Sequence, residues 1–101
     1  MEKVDIKEFT GIVESSDKEL NVIDVRPADL YNEGHVPGAK HMPLSEIENN
    51  LDSLDKDQHY YTMCHDGKGA KKAAEILADH GFDVTRVIQG MPDYPGKTEK
   101  S

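Results

Sequence analysis

The chain has 101 residues, a single cysteine and a formal net charge of −8 at pH 7. This acidic balance argues against nucleic acid or an anionic membrane as a partner, and no apolar run reaches transmembrane length. One thiol excludes an internal disulfide and, with no secretory signal pattern, favours a reducing, cytoplasmic setting. The length predicts one domain over residues 1–96, followed by a disordered polar tail over residues 97–101.

The N-terminal part of the chain alternates between strand and helix. Residues 4–6 predict a short edge strand that leads into a helix, and Asp5 followed by Glu8 forms a capping-box pattern at the start of that helix. Residues 20–25 are largely apolar, as a central parallel strand should be.

The middle of the chain contains shorter elements. Residues 28–31 predict a short helix, residues 34–38 a tight connection, and residues 39–42 a short strand. Ser45 and Glu48 form a second capping-box pattern that predicts a further helix. Apolar residues continue that pattern at helical spacing: Leu44, Ile47, Leu51 and Leu54.

The second half of the chain completes an α/β pattern. Residues 59–63 predict a strand that ends at Cys64, an amphipathic helix begins at Ala70 and ends near Gly81, and residues 84–88 predict the last strand. This alternation predicts a mostly parallel sheet of about five short strands with helices on both faces. Ligands of such sheets bind beyond the carboxyl ends of the strands, which is where Cys64 lies.

The loop after Cys64 favours a reactive thiol. Gly67 and Gly69 allow this loop to curl so that its amides surround the sulfur at the positive end of the helix dipole. A thiol held there ionises more readily to the nucleophilic thiolate; the alternative is a small buried hydrophobic residue at a strand end. Three lysines near the helix start indicate either an anion site or an ordinary solvated helix face: Lys68, Lys71 and Lys72.

Four segments, in chain order, carry a family resemblance. They read Val-Ile-Asp-Val-Arg at 22–26, Glu-Gly-His-Val-Pro-Gly-Ala at 33–39, Cys-His-Asp-Gly-Lys-Gly at 64–69 and Val-Ile-Gln-Gly-Met at 87–91. Together they resemble the rhodanese family of sulfurtransferases. That family has a strand ending in Asp-Val-Arg, a Gly-His-Ile-Pro-Gly-Ala signature, a catalytic cysteine that opens a short loop, and a strand ending in Gly-Gly. The resemblance covers nearly the whole chain and implies a rhodanese-like three-layer fold.

The resemblance implies transfer of sulfane sulfur from thiosulfate or a persulfide donor to a thiol or cyanide acceptor. Cys64 would carry the sulfur as a persulfide. Because the chain has no second cysteine, an external small thiol or a protein must accept that sulfur. The reaction needs no metal or cofactor, and the histidines show no metal-ligand spacing. The resemblance implies that the loop residues bind the substrate: His65, Asp66, Gly67, Lys68 and Gly69.

Single residues around the loop have roles of different kinds. His65 either tunes the thiolate, contacts substrate or points outward from the loop. An inward Asp66 carboxylate would disfavour the thiolate, so we expect this side chain to face out or to bond a loop amide. The resemblance implies that Asp24 and Arg26 brace the loop, the alternative being a plain surface pair, and that His35 belongs to a structural turn.

The sequence departs from the family at the last position of the loop. Many active members have an arginine there, whereas this chain has Gly69. The missing guanidinium weakens the case for efficient thiosulfate turnover, and a nearby lysine is a point charge rather than a bidentate fork. Gln89 replaces the first glycine of the Gly-Gly pair, and Pro92 and Pro95 shorten the closing helix, which favours an open rim that suits a protein or a large thiol.

Two alternatives to sulfur transfer follow from these departures. The first is a non-catalytic rhodanese-like module that binds a partner or senses sulfur species. The second is a cysteine phosphatase or arsenate reductase. It is less favoured, because such enzymes need an arginine that closes the loop, and this chain has Gly69 there.

Overall fold

The computed structural model describes residues 2–18 and 20–100; residues 1, 19 and 101 lie outside the described part. Within these ranges the strands are β1 Glu2–Val4, β2 Val22–Asp24, β3 Lys40–His41, β4 His59–Met63 and β5 Asp83–Val87. The α-helices are α1 Ile6–Ser15, α2 Ala28–Glu33 and α3 Lys68–Asp79, and 3₁₀ helices cover Leu44–Glu46, Glu48–Ser53 and Met91–Asp93. None of the helices in the described ranges has the length and apolarity to cross a bilayer.

Strand β4 lies at the centre of a sheet of order β1-β5-β4-β2-β3, in which every neighbouring pair is parallel. In register, Thr62 of β4 lies opposite Ile23 of β2 and Arg86 of β5. Because parallel strands end at the same edge of a sheet, Cys64 emerges beside the ends of β2 and β5. The α/β fold with a parallel sheet is thus confirmed.

Helices cover both faces of the sheet, as predicted, and each face has its own apolar cluster. On one face α3 buries Ala73 and Leu77 against residues of the sheet such as Ile23 and Val84. On the other face Phe9 of α1 packs in a second cluster, which includes Val22, Val36, Met63 and Val87. This packing holds the N-terminus of α3 beside the end of β4, and Thr62 Oγ1 donates a 2.8 Å hydrogen bond to the carbonyl oxygen of Ala70.

One capping box is confirmed and the other is wrong. Asp5 is the N-cap of α1, and its side chain accepts a 2.8 Å hydrogen bond from the Glu8 amide. Ser45 caps nothing, because residues 44–53 form two 3₁₀ helices that begin without a side-chain cap. The reason lies in the apolar spacing of the segment, since pairs three residues apart fit the three-residue turn of a 3₁₀ helix. These pairs pack on the α3 face of the sheet: Leu44 with Ile47, and Leu51 with Leu54.

The described part of the polar tail, residues 97–100, contacts the turn after α2. Glu99 and His35 form an isolated antiparallel bridge, in which each amide donates a 2.9 Å hydrogen bond to the other residue's carbonyl oxygen. The Glu99 carboxylate also accepts a 2.8 Å hydrogen bond from the Gly38 amide. Disorder of the tail in solution stays a prediction, and its last residue, Ser101, lies outside the described residues.

Candidate active site

Cys64 is the first residue after β4, and its free thiol belongs to a residue that is only 5% exposed. Its carbonyl oxygen accepts a 3.1 Å hydrogen bond from the Met91 amide, so the turn after β5 holds its main chain. The Val25 amide donates a 2.9 Å hydrogen bond to the carbonyl oxygen of Met63, which ties the end of β2 to the residue before the cysteine. Three adjacent strand ends therefore position this sulfur.

The amide of Gly67 donates a 2.9 Å hydrogen bond to the sulfur of Cys64. Gly67 is the N-cap of α3 and has a φ of +90°, in the left-handed region that favours glycine. A Cβ at this position would lie 3.0 Å from the carbonyl oxygen of Gln89, so a larger residue is strained as well as crowded. An amide aimed at the sulfur from a helix N-terminus favours negative charge on that sulfur.

The amide of Gly69, a half-buried residue in the first turn of α3, donates no hydrogen bond to any residue in the described ranges, whereas Ala70 is fully buried. Helix N-termini that keep free amides attract anions. The cationic side chains at the same end of the helix are all exposed: Lys68, Lys71 and Lys72. The loop thus combines a free donor with positive charge on a chain that is acidic as a whole.

The side chain of Asp66 is exposed and bonds the first amide of α3. Its Oδ1 accepts a 3.0 Å hydrogen bond from the Lys68 amide, which caps that helix end. The same oxygen lies 3.8 Å from the sulfur of Cys64. A carboxylate at this distance opposes the effect of the Gly67 amide on an ionised sulfur.

Gly69 occupies the position at which many rhodaneses carry an arginine. A Cβ built there would lie 3.6 Å from the sulfur of Cys64 and 3.5 Å from a methyl group of Val25. The nearest atom would be the Cβ of Cys64 at 3.4 Å; all three distances are ordinary van der Waals contacts, so a Cβ fits beside the sulfur. The protein instead leaves this side of the loop without a guanidinium group.

Asp24 and Arg26 form a buried ion pair beside the loop. Arg26 Nε donates to Asp24 Oδ1 at 3.0 Å and Nη2 donates to Oδ2 at 2.7 Å, while the two residues are 6% and 0% exposed. Nη2 also donates a 2.8 Å hydrogen bond to the carbonyl oxygen of Gly34. The plain surface pair that the sequence left open is therefore excluded, and the pair ties the end of β2 to the turn after α2.

His35 lies in an aromatic stack within that turn. Its ring packs parallel to Tyr31 at a centroid distance of 3.9 Å, and His41 packs against the same tyrosine at 4.4 Å. The Tyr31 hydroxyl donates a 2.7 Å hydrogen bond to the carbonyl oxygen of Ala39. Burial raises the pKa of Tyr31, and the nearby Asp24 carboxylate raises it further.

A groove of about 310 Å³ lies between α2 and the Cys64 loop. His65, the residue after the cysteine, lines this groove and is exposed. We call it the Arg26 groove; its walls include Arg26, Leu30, Glu33, His65, Met91 and Thr98.

Apart from His65 and Lys68, whose side chains are exposed, the site residues predicted around Cys64 fall into two groups. Those that surround the sulfur are Asp66, Gly67 and Gly69, whereas Asp24, Arg26 and His35 meet at the turn after α2. In the described ranges, no cluster of three or more His, Cys, Asp or Glu side chains is arranged for a metal ion.

Sequence reasoning missed the part that Gln89 plays. This residue has a φ of +64°, and its side chain accepts a 3.0 Å hydrogen bond from the Ile6 amide at the start of α1. One signal for the left-handed backbone at Gln89 was available in the sequence. The family often has a glycine at this position, and glycine suits that conformation. Gly90 allows the closest approach, since a Cβ there would collide with the His65 carbonyl.

Comparisons with known proteins find related chains. The family model described as "Rhodanese-like domain" matches residues 7–96. The chain is 40% identical over 85 residues to the "Putative sulfur carrier protein YrkF" of Bacillus subtilis, and the match covers 83% of this chain and 46% of that protein. It is 33% identical over 84 residues to the "Putative sulfurtransferase YtwF" of the same organism, covering 83% of this chain and 82% of that one.

A solved structure is similar along the entire chain. The crystal structure of a rhodanese-like domain protein from Staphylococcus aureus superposes with a TM-score of 0.90 at 29% identity. The superposition covers 100% of this chain and 99% of the other. In contrast, the chain spans about half the length of YrkF.

Proposed function

The chain belongs to the rhodanese-like domain family, and from this membership we propose that it is a sulfurtransferase that carries sulfane sulfur as a persulfide on Cys64. The donor is thiosulfate or another sulfane compound, and the acceptor is a small thiol, cyanide or a protein thiol. The observation that carries the proposal is the 2.9 Å hydrogen bond from the Gly67 amide to the sulfur. That donor supports negative charge on the attacking sulfur before transfer and when the thiolate returns after it.

The proposed reaction has two displacement steps at sulfur. The Cys64 thiolate attacks the outer sulfur of the donor, and a new S–S bond forms as the donor's own S–S bond breaks. The electron pair of the broken bond leaves on sulfite or on the donor thiolate. The acceptor then attacks the outer sulfur of the Cys64 persulfide, and the Cys64 thiolate returns.

The donors that we favour are organic persulfides rather than thiosulfate. Thiosulfate is a dianion, and a bidentate guanidinium is the side chain best suited to bind its oxygens. Gly69 supplies no such group, while a free amide and exposed lysines attract anions less specifically. The name of the relative YrkF, a sulfur carrier protein, supports a protein as one acceptor or donor.

A non-catalytic module is the second candidate function. Asp66 favours it, because its carboxylate lies 3.8 Å from the sulfur and opposes an ionised thiol. We place sulfur transfer first because the Gly67 amide is closer to the sulfur and belongs to the N-cap of α3, at the positive end of the helix dipole. Since the reaction needs a free thiol, we also propose a reducing compartment such as the cytoplasm.

Intact-mass measurement of the folded protein tests this proposal. After treatment with an organic persulfide or thiosulfate, the chain should gain the mass of one sulfur atom, and cyanide should remove it. Cys64→Ser should gain none. If the folded wild-type protein takes up no sulfur from either donor, sulfur transfer is excluded and the binding module is favoured. Hydrolysis of an aryl phosphate would instead point to phosphatase chemistry.

A further inference from the structure

We propose that the Arg26 groove binds the organic part of the sulfur donor, and that this donor is a zwitterionic α-amino thiol compound such as cysteine persulfide. The inference rests on the proposed sulfur transfer, and it names the donor class. Arg26 would hold the carboxylate of the donor, and Glu33 would hold its ammonium group.

The position of the groove supports this assignment. His65 lines it and directly follows Cys64, and Met91 lines it while its amide bonds the Cys64 carbonyl. A volume of about 310 Å³ is at the lower end of small-molecule sites, which suits a single amino-acid-sized ligand. Thr98 closes the far wall, because the Glu99 bridge to His35 holds the tail against this turn.

Arg26 has one nitrogen that the ion pair does not use. Nε and Nη2 are bonded to Asp24 and Gly34, but Nη1 donates to no residue in the described ranges. Arg26 as a whole is only 6% exposed, but its Nη1 atom keeps contact with solvent. Arg26 is also one of the residues that line the groove. A guanidinium N–H fixed in this way is a ready donor to a carboxylate. Asp24 already balances the charge of Arg26, so this contact acts mainly as a hydrogen bond.

Glu33 provides the complementary charge. It lies at the end of α2, is exposed, and lines the same groove. Within the described ranges no lysine, arginine or histidine lies within 4.0 Å of its carboxylate. A free acceptor for an ammonium group and a free donor for a carboxylate therefore belong to two residues that line one groove. Leu30 and Met91 add apolar surface for the Cα and Cβ atoms of the donor.

Three donors that differ by one group each test the assignment. The KM for sulfur uptake by Cys64 should be lowest for cysteine persulfide. It should be about five- to tenfold higher for the persulfides of cysteamine, which lacks the carboxylate, and of 3-mercaptopropionate, which lacks the amine, since each has lost one hydrogen-bonding group. Glu33→Gln should remove the preference for cysteine over mercaptopropionate and keep the preference over cysteamine. Glu75→Gln, an exposed glutamate on α3, is the matched control and should keep both.

The outcomes separate this inference from the proposed function. Sulfur uptake with equal KM for the three donors would overturn the donor class and leave sulfur transfer standing. If Cys64 takes sulfur from no donor, binding to the groove is measured with S-methylcysteine instead. This compound carries both charged groups but transfers no sulfur. Its binding should shift the NMR signals of Arg26, Glu33 and His65, and unchanged signals at millimolar ligand would overturn the inference. A donor protein that saturates the chain while all three small persulfides fail would also overturn it.

Discussion

Gly69 lies against Cys64 so closely that a Cβ on this glycine would stand 3.6 Å from the sulfur. Gly69 is the second residue of α3 and has a helical backbone. The backbone therefore accepts a Cβ at the position that an arginine occupies in many rhodaneses, where this chain has a glycine. This makes the proposed preference for organic persulfides over thiosulfate reversible by one substitution.

Gly69→Arg should raise the rate of sulfur uptake from thiosulfate about tenfold or more. The reason is that charge-assisted hydrogen bonds to an anion contribute roughly 1.5–3 kcal/mol. The rate of sulfur uptake is measured by stopping the reaction at successive times and determining the intact mass of the protein. Gly69→Gln is the control for side-chain size, and it should leave the thiosulfate rate near that of the wild type. An equal gain in both variants would show that shape rather than the guanidinium governs this site.

Gly67→Ala should destabilise the protein and weaken its reaction with alkylating reagents. A non-glycine residue in the left-handed region costs about 1–2 kcal/mol, and the Cβ also crowds the Gln89 carbonyl. Displacement of the Gly67 amide removes the donor that now lies 2.9 Å from the sulfur, so iodoacetamide should modify Cys64 more slowly at pH 7.

The control for this change is Gly11→Ala. Gly11 lies inside α1, and a Cβ there meets nothing within 4 Å. This variant should gain roughly 0.5–1 kcal/mol of stability, because alanine loses less entropy than glycine in a helix. Urea unfolding measures both variants. Equal stabilities for the two would contradict the strained conformation at Gly67.

The features that sequence predicted well are local or periodic. Asp5 caps α1 because its partner, the Glu8 amide, lies three residues away, and the parallel sheet follows from alternating elements. The Ser45 cap failed because tertiary packing of Leu44 and Ile47 outweighed a local pattern.

The features that sequence did not predict depend on partners far apart in the chain. Glu99 pairs with His35, and the Gln89 side chain caps the first amide of α1 at Ile6. No spacing rule connects such residues. The Arg26 groove has the same origin, since its walls come from α2, the Cys64 loop and the tail. The position of Cys64 at the end of a central strand was therefore easier to predict than the groove beside it.

Asp24→Asn should cost about 3–5 kcal/mol of unfolding free energy. Removing one partner of a buried ion pair leaves the other charge uncompensated, and Arg26 is only 6% exposed. Urea unfolding at pH 7 measures the loss. Asp52→Asn, an exposed aspartate outside any ion pair of the described residues, should change stability by less than about 0.5 kcal/mol. A similarly small loss for Asp24→Asn would contradict a structural role for this pair.

Tyr94 and Tyr31 are both partly buried, but their hydroxyl groups differ. The Tyr94 oxygen is buried and has no hydrogen-bond partner in the described ranges, whereas Tyr31 donates at 2.7 Å to the Ala39 carbonyl. Tyr31→Phe should therefore cost about 1 kcal/mol, and Tyr94→Phe should be neutral or stabilising at pH 7. Equal losses in urea unfolding would show that the Tyr94 hydroxyl does bond in solution.

The same tyrosine should also affect stability in alkali. Burial raises the pKa of Tyr94 above its ordinary value of 10.0, and the Glu14 carboxylate adds to this shift. The folded protein then keeps the phenol proton at pH values where the unfolded chain has lost it. This contribution to stability is complete below pH 10 and is lost as the pH rises through the folded-state pKa. The free energy of unfolding, measured with urea between pH 9 and 11, should therefore decline less steeply for Tyr94→Phe than for the wild type. Both proteins should still lose some stability, because Tyr31 and Tyr61 also have raised pKa values and are present in both. A parallel decline in the two proteins would exclude Tyr94 as a source of the alkaline instability.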